Sequence, residues 1–176
     1  MAGYPTHSQI RAARSMLGLK QADLASKAHV TRSVLLGLEQ AGRKHPDNSA
    51  LYQLSGVFRA EGLVLIEATE SAGEGVRWSE PTGKIWIDCL RHARAMLGYS
   101  LDELAEKSGV GRYVISRLEG GKLRRTPEQS VRRLRDALFE NGVIILSEDE
   151  RVGAGVRLRF GFGNQDSLAP GVWPSV

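Results

Sequence analysis

Apolar residues recur at helical spacing through four successive stretches, and then the period shortens. Ile10, Ala13, Met16 and Leu17 define a first helix that Gly18 ends. "QADLASKA" after Lys20 gives a second, short helix. A tight turn through Ala28-His29-Val30 leads into a third, from Thr31 to near Glu39. "HPDNSALYQLSGVFRAEG" marks a fourth, closed by Gly62. Beyond it "LVLIE" and "GVRWS" are short β-rich runs that predict a hairpin.

The whole pattern then occurs again. Shifted by 80 residues, "RAARSMLGLKQADLASKAHVTRSVLLGLEQ" falls without a gap on "RHARAMLGYSLDELAEKSGVGRYVISRLEG", and "GEGVR" at 73–77 falls on "GAGVR" at 153–157. About twenty positions are identical over roughly seventy, which indicates a duplication. In the second copy Leu90, Ala93, Met96 and Leu97 form the first helix and Gly98 ends it. "LDELAEKS" follows with Ser100 as its N-cap, and Gly111 opens the third helix. Thr126 is expected to cap the fourth, with Pro127 at its first position and Gln129 completing a capping box, and Gly142 ends it. "VIILS" and "GVRLRF" supply the second hairpin. The glycines of "GEGVRW" and "GAGVRL" lack the third glycine of a dinucleotide fingerprint and introduce strands, so they are expected to be hairpin-turn residues.

The repeat divides the chain into 1–79, 80–160 and a loose Gly- and Pro-containing tail, 161–176, with "SEPTGK" as the linker. An isolated hairpin is marginal in water. Each therefore needs a partner, either the other repeat's hairpin or a second chain; a homodimer through the hairpins is the expectation, because strand edges need covering.

Two short helices joined by a tight turn, the second presenting polar residues at its start, make a helix-turn-helix pattern. On "QADLASKAHVTRSVLLGLEQ" and "LDELAEKSGVGRYVISRLEGG" the chain resembles the Xre-like regulators that include the Cro and repressor proteins of phages. The second repeat matches the turn more closely, while the first keeps Gln21 where the second has Leu101. The resemblance implies a mainly α fold. It consists of two tandem four-helix, λ-repressor-like helix-turn-helix domains, each followed by a short β-hairpin. It also implies a DNA-binding transcriptional regulator. Repression is the expected sign, because an occupied operator blocks polymerase.

In this geometry the third helix of each repeat enters a major groove. Burying Val30, Leu35 and Leu38 turns Thr31, Arg32, Ser33 and Gly37 outward; the second copy presents Gly111, Arg112, Tyr113 and Arg117. Arg32, Ser33, Arg112, Tyr113 and Arg117 are the expected base contacts, the arginines because a guanidinium forks onto guanine O6 and N7. Gly37 offers nothing where Arg117 reaches, so the two heads should prefer different half-sites. Lys20, Gln21 and Thr31 stand where the resembled family contacts phosphates, and Ser100 is placed with them. Arg43 and Lys44, like Lys122, Arg124 and Arg125, follow the reading helices and can reach phosphate. Arg14 with Glu39, and Arg94 with Glu119, recur at one spacing; in the family such a pair bridges the first and third helices, so these are expected as structural ion pairs. Against all of this stands the plain reading that helix arginines form a solvated face, and that the first copy, with Leu36 and Gly37, serves as scaffold.

Composition changes little. The chain has 176 residues, 41% apolar and 25% charged, with net charge +4. The cations concentrate between Arg112 and Arg135, as expected of a polyanion binder. No apolar run reaches membrane-spanning length and the N-terminus lacks a signal-peptide core, which leads to a cytoplasmic, nucleoid-associated expectation. The single Cys89 fits a reducing compartment and reads as core. His7, His29, His45 and His92 are scattered, and none is at metal-ligand spacing with Cys89. No enzyme, metal or cofactor is expected. Double-stranded DNA is the expected partner, with RNA polymerase or a regulatory protein as a further one. The alternative is a protein-interaction module, antitoxin-like or polymerase-binding, that keeps the fold.

Overall fold

Thr6 opens the first helix, α1 (His7–Met16), with its hydroxyl accepting from the Gln9 amide while the Gln9 side chain accepts from the Thr6 amide. The structure, a computed structural model, describes residues 4–42, 46–123 and 127–162. Helices α2 (Gln21–Lys27), α3 (Arg32–Leu38) and α4 (Asn48–Ala60) follow, then strands β1 (Leu63–Ile66) and β2 (Ala72–Trp78). The second half runs in the same order. A 3-10 turn at Trp86–Cys89 leads into α5 (Leu90–Leu97), then α6 (Leu101–Ser108), α7 (Arg112–Glu119), α8 (Glu128–Glu140), β3 (Val143–Leu146) and β4 (Gly155–Arg159). No helix among the described residues is long and apolar enough to cross a membrane.

Helix ends fall where the sequence stops them. Gly18, Gly62, Gly98 and Gly142 all have positive φ, which a residue without Cβ adopts freely. The fourth helix of the second half differs from expectation. It starts at Glu128, and Pro127 holds the cap position, where its carbonyl accepts from the Val131 amide. Proline at the cap loses nothing by lacking an N–H. Thr126 lies outside the described residues, as do Arg43, Lys44, Arg124 and Arg125, and the tail beyond Phe162.

The two hairpins join. The sheet order is β1-β2-β4-β3, all antiparallel, so each hairpin's partner is the hairpin of the other half. At the junction Val76 pairs with Val156, Gly75 with Arg157 and Arg77 with Gly155. Val76 and Val156 are the same position of the two repeats, and the 80-residue shift exchanges the pair Gly75–Arg157 with the pair Arg77–Gly155, so an approximate two-fold axis passes between the valines. Helices α1 and α5 pack against each other across the same junction, and one continuous core runs from Ile10, Leu35, Leu54 and Phe58 through Val76 and Val156 to Leu90, Met96, Leu104, Ile115 and Leu134.

Three of the paired glycines, expected from the sequence in hairpin turns, are strand residues instead. Gly73 and Gly75 lie within β2, and Gly155 lies within β4. A Cβ on Gly75 would sit 2.8 Å from the Val156 carbonyl oxygen, and one on Gly155 would overlap the Val76 carbonyl oxygen. Glycine is required here because two backbones approach closely. The arginines of the same motif cross the junction reciprocally. Arg77 Nε donates to the Gly153 carbonyl at 3.0 Å, and Arg157 Nε donates to the Gly73 carbonyl at 2.7 Å.

Candidate nucleic-acid interface

Leu24 and Ala25 on α2, with Leu35 and Leu38 on α3, are buried and hold these helices down. The opposite side of α3 is exposed and carries Arg32, Ser33 and Leu36. Thr31 caps the helix, its hydroxyl accepting from the Val34 amide at 3.2 Å. Lys20 is exposed at the cap of α2. Gln21 points inward: its Nε2 donates to Glu39 Oε2 at 2.8 Å.

Glu39 is the hub of this half. Its side chain, 5% exposed, accepts from Arg14 Nε at 2.5 Å and from the second Arg14 nitrogen at 3.1 Å. One buried carboxylate thus ties α1 and α2 to the C-terminus of α3. Its backbone carbonyl accepts from Arg11, whose guanidinium also donates to the carbonyls of Ala95 and Met96 at the end of α5. Arg11 therefore links the end of α3 to the other half of the molecule.

The second half places Leu104, Val110, Ile115 and Leu118 inward. The turn before α7 is set by Gly109 at φ 63, and Ser108 Oγ donates to the Leu104 carbonyl and accepts from the Val110 amide. His29 occupies the matching position in the first half with φ 52, the one left-handed non-glycine residue among those described. Arg94 and Glu119 pair through two bonds of 2.7 Å, and Arg94 also donates to the Tyr99 carbonyl. Leu101 replaces Gln21 here, so this pair stands without the amide that its counterpart has.

On the outer side of α7, Arg112 and Tyr113 are exposed, and Arg112 lies 3.4 Å from Asp102. Both partners of that contact are well exposed, so it holds Arg112 weakly. Arg117 is half-buried; it donates to the Tyr113 hydroxyl at 3.3 Å and to the Lys122 carbonyl at 2.5 Å. Its guanidinium also lies 5.6 Å from the Tyr113 ring centre. The two side chains form one unit on the helix surface, not two independent groups. Ser100 caps α6, accepting from the Glu103 amide at 3.1 Å, and Lys122 is exposed beyond α7.

Cys89 is buried, and burial pushes its thiol up to about 11, which favours the protonated form at neutral pH. Among the described residues no group of His, Cys, Asp or Glu could hold a metal. His92 is buried at the α1–α5 contact with Nδ1 2.9 Å from Ser15 Oγ, and burial lowers its value to about 4.

Sequence reasoning missed Arg11, Arg77 and Arg157. For the last two a signal exists: the arginine of "GEGVR" recurs with its glycines in "GAGVR". For Arg11 there is none, because Arg91 is the same residue at the matching position and is exposed.

Residues 10–62 match the helix-turn-helix family model. The match supports a DNA-binding transcription regulator of the Cro and repressor type for this part of the chain. The comparison with curated proteins and that with solved structures returned no match.

Proposed function

We propose that the protein is a sequence-specific double-stranded-DNA-binding transcriptional regulator, acting as a repressor, in which 1–79 and 80–160 are both helix-turn-helix domains. The observation that carries this reading is the recurrence in α6–α7 of the framework that the matched region has in α2–α3. In both halves a carboxylate at the end of the third helix, Glu39 or Glu119, is held by an arginine of the first, Arg14 or Arg94. In both, an exposed arginine, Arg32 or Arg112, opens the free side. A rigidly held helix with a cation at its N-terminal turn suits major-groove reading.

Arg32, Ser33, Arg112, Tyr113 and Arg117 are assigned to bases, and Lys20, Thr31, Ser100 and Lys122 to phosphates. Gln21, bonded to Glu39, is assigned first to orienting that carboxylate, with phosphate contact secondary. Arg43, Lys44, Arg124 and Arg125 complete the proposed phosphate set. The ion pairs hold the reading helices and do not touch DNA. Pairing of the hairpins within the chain covers the inner strand edges without a second copy.

Selection of duplexes from a random library by the full chain tests this. One enriched motif is expected, with affinity falling about 10³-fold or more between about 50 and 200 mM salt if some six phosphates are neutralised. No enrichment at low salt, with a stable protein complex recovered instead, would favour the interaction-module reading.

A further inference from the structure

The arrangement of the two halves fixes more than the presence of two reading helices. Two tandem domains on a flexible linker could engage DNA in either relative orientation. Here they are joined by a continuous sheet, by α1 against α5, and by side chains crossing the junction in both directions. Val76 opposite Val156, Gly75 opposite Arg157 and Arg77 opposite Gly155 are the pairings of an approximate two-fold axis, not of a translation. Arg11 carries that frame to the end of α3 through the Glu39, Ala95 and Met96 carbonyls.

We infer that a single chain binds one site built of two unequal half-sites in inverted orientation, each read by one of the dyad-related helices α3 and α7. The inference rests on the reading that both halves bind DNA. A two-fold operation that exchanges the heads must also exchange the half-sites they touch, and it reverses their direction; direct repeats would need heads related by translation. The halves are unequal because the outward residues differ away from the shared arginine. Ser33, Leu36 and Gly37 in one head stand where the other has Tyr113, Ser116 and Arg117. Arg32 and Arg112, at matching positions, place one guanine requirement at dyad-related points of both halves. One chain suffices, because the inner edges β2 and β4 are already paired to each other.

The test uses the full chain and the duplex it selects. Four versions are compared: the selected site, the site with one half reversed, and two symmetric sites, each made from two copies of one half. Mass photometry or sedimentation counts the chains on the selected site at saturation. The expected result is one chain per site, loss of at least tenfold in affinity on reversing one half, and weaker binding to either symmetrised site. Two chains per selected site, unchanged affinity for the reversed half, or preference for a symmetrised site would overturn the inference while leaving sequence-specific DNA binding intact. Absence of any selected duplex would overturn the functional reading beneath it, and this inference with it.

Discussion

Val76 and Val156 face each other at the centre of the four-stranded sheet, both fully buried, at matching positions of the two repeats. The hairpins of the two halves are thus joined within one chain. The glycines and arginines on either side of the valines make that contact possible. Glycine lets the strands approach, and each arginine satisfies a carbonyl of the opposite half.

The seam glycines should tolerate no side chain. Gly155→Ala puts a methyl group into the Val76 carbonyl, and Gly75→Ala puts one against Val156. Each is expected to lower stability by ~1–3 kcal/mol, measured by urea unfolding. Gly56, inside α4 with open space around it, is the control: Gly56→Ala should raise stability by ~0.5–1 kcal/mol.

The turn between the second and third helices should respond oppositely in the two repeats. His29→Gly relieves a left-handed residue and should stabilise by ~1 kcal/mol, while Gly109→Ala imposes the same conformation on a side chain and should cost a similar amount. Thermal unfolding of the two variants checks the signs; equal signs would contradict the account.

Acid should loosen the junction. Burial, reinforced by Lys84 and Arg91, lowers His92 from 6.5 to about 4, so the unfolded chain takes up this proton first. The contribution of neutral His92 to stability is intact above pH 6.5 and is lost as the pH falls to about 4, amounting to ~3 kcal/mol. His92→Gln should flatten this part of the stability–pH curve. An unchanged slope in the variant would assign the acid sensitivity elsewhere.

Much of the helical framework was legible because its periods are local. Apolar spacing and positive-φ glycines mark the helices and their ends, and the repeat supplies an internal check on each. The same local signals failed at "GEGVRW" and "GAGVRL". A glycine in a turn and a glycine beneath a crossing backbone look alike in sequence, and the Val156 and Val76 carbonyls that exclude a side chain come from the other repeat. Arg11 was hidden for a related reason. Its identity matches Arg91, and only the placement of the α5 carbonyls separates the two. The sequence offers Arg117 only as a base contact, because its partners, the Tyr113 hydroxyl and the Lys122 carbonyl, depend on how the end of α7 turns. Pro127 shifted by one position because a proline fits both the cap and the first helical residue.

The central claim is that α3 and α7 each read bases. Base-resolution footprinting of the selected site with Arg32→Ala and Arg112→Ala, beside the unaltered chain, tests it most directly. Each variant should lose ~1–3 kcal/mol of binding and its protection at one guanine, in one half-site for Arg32→Ala and in the other for Arg112→Ala. Unaltered affinity and an unaltered footprint in both variants would contradict the account.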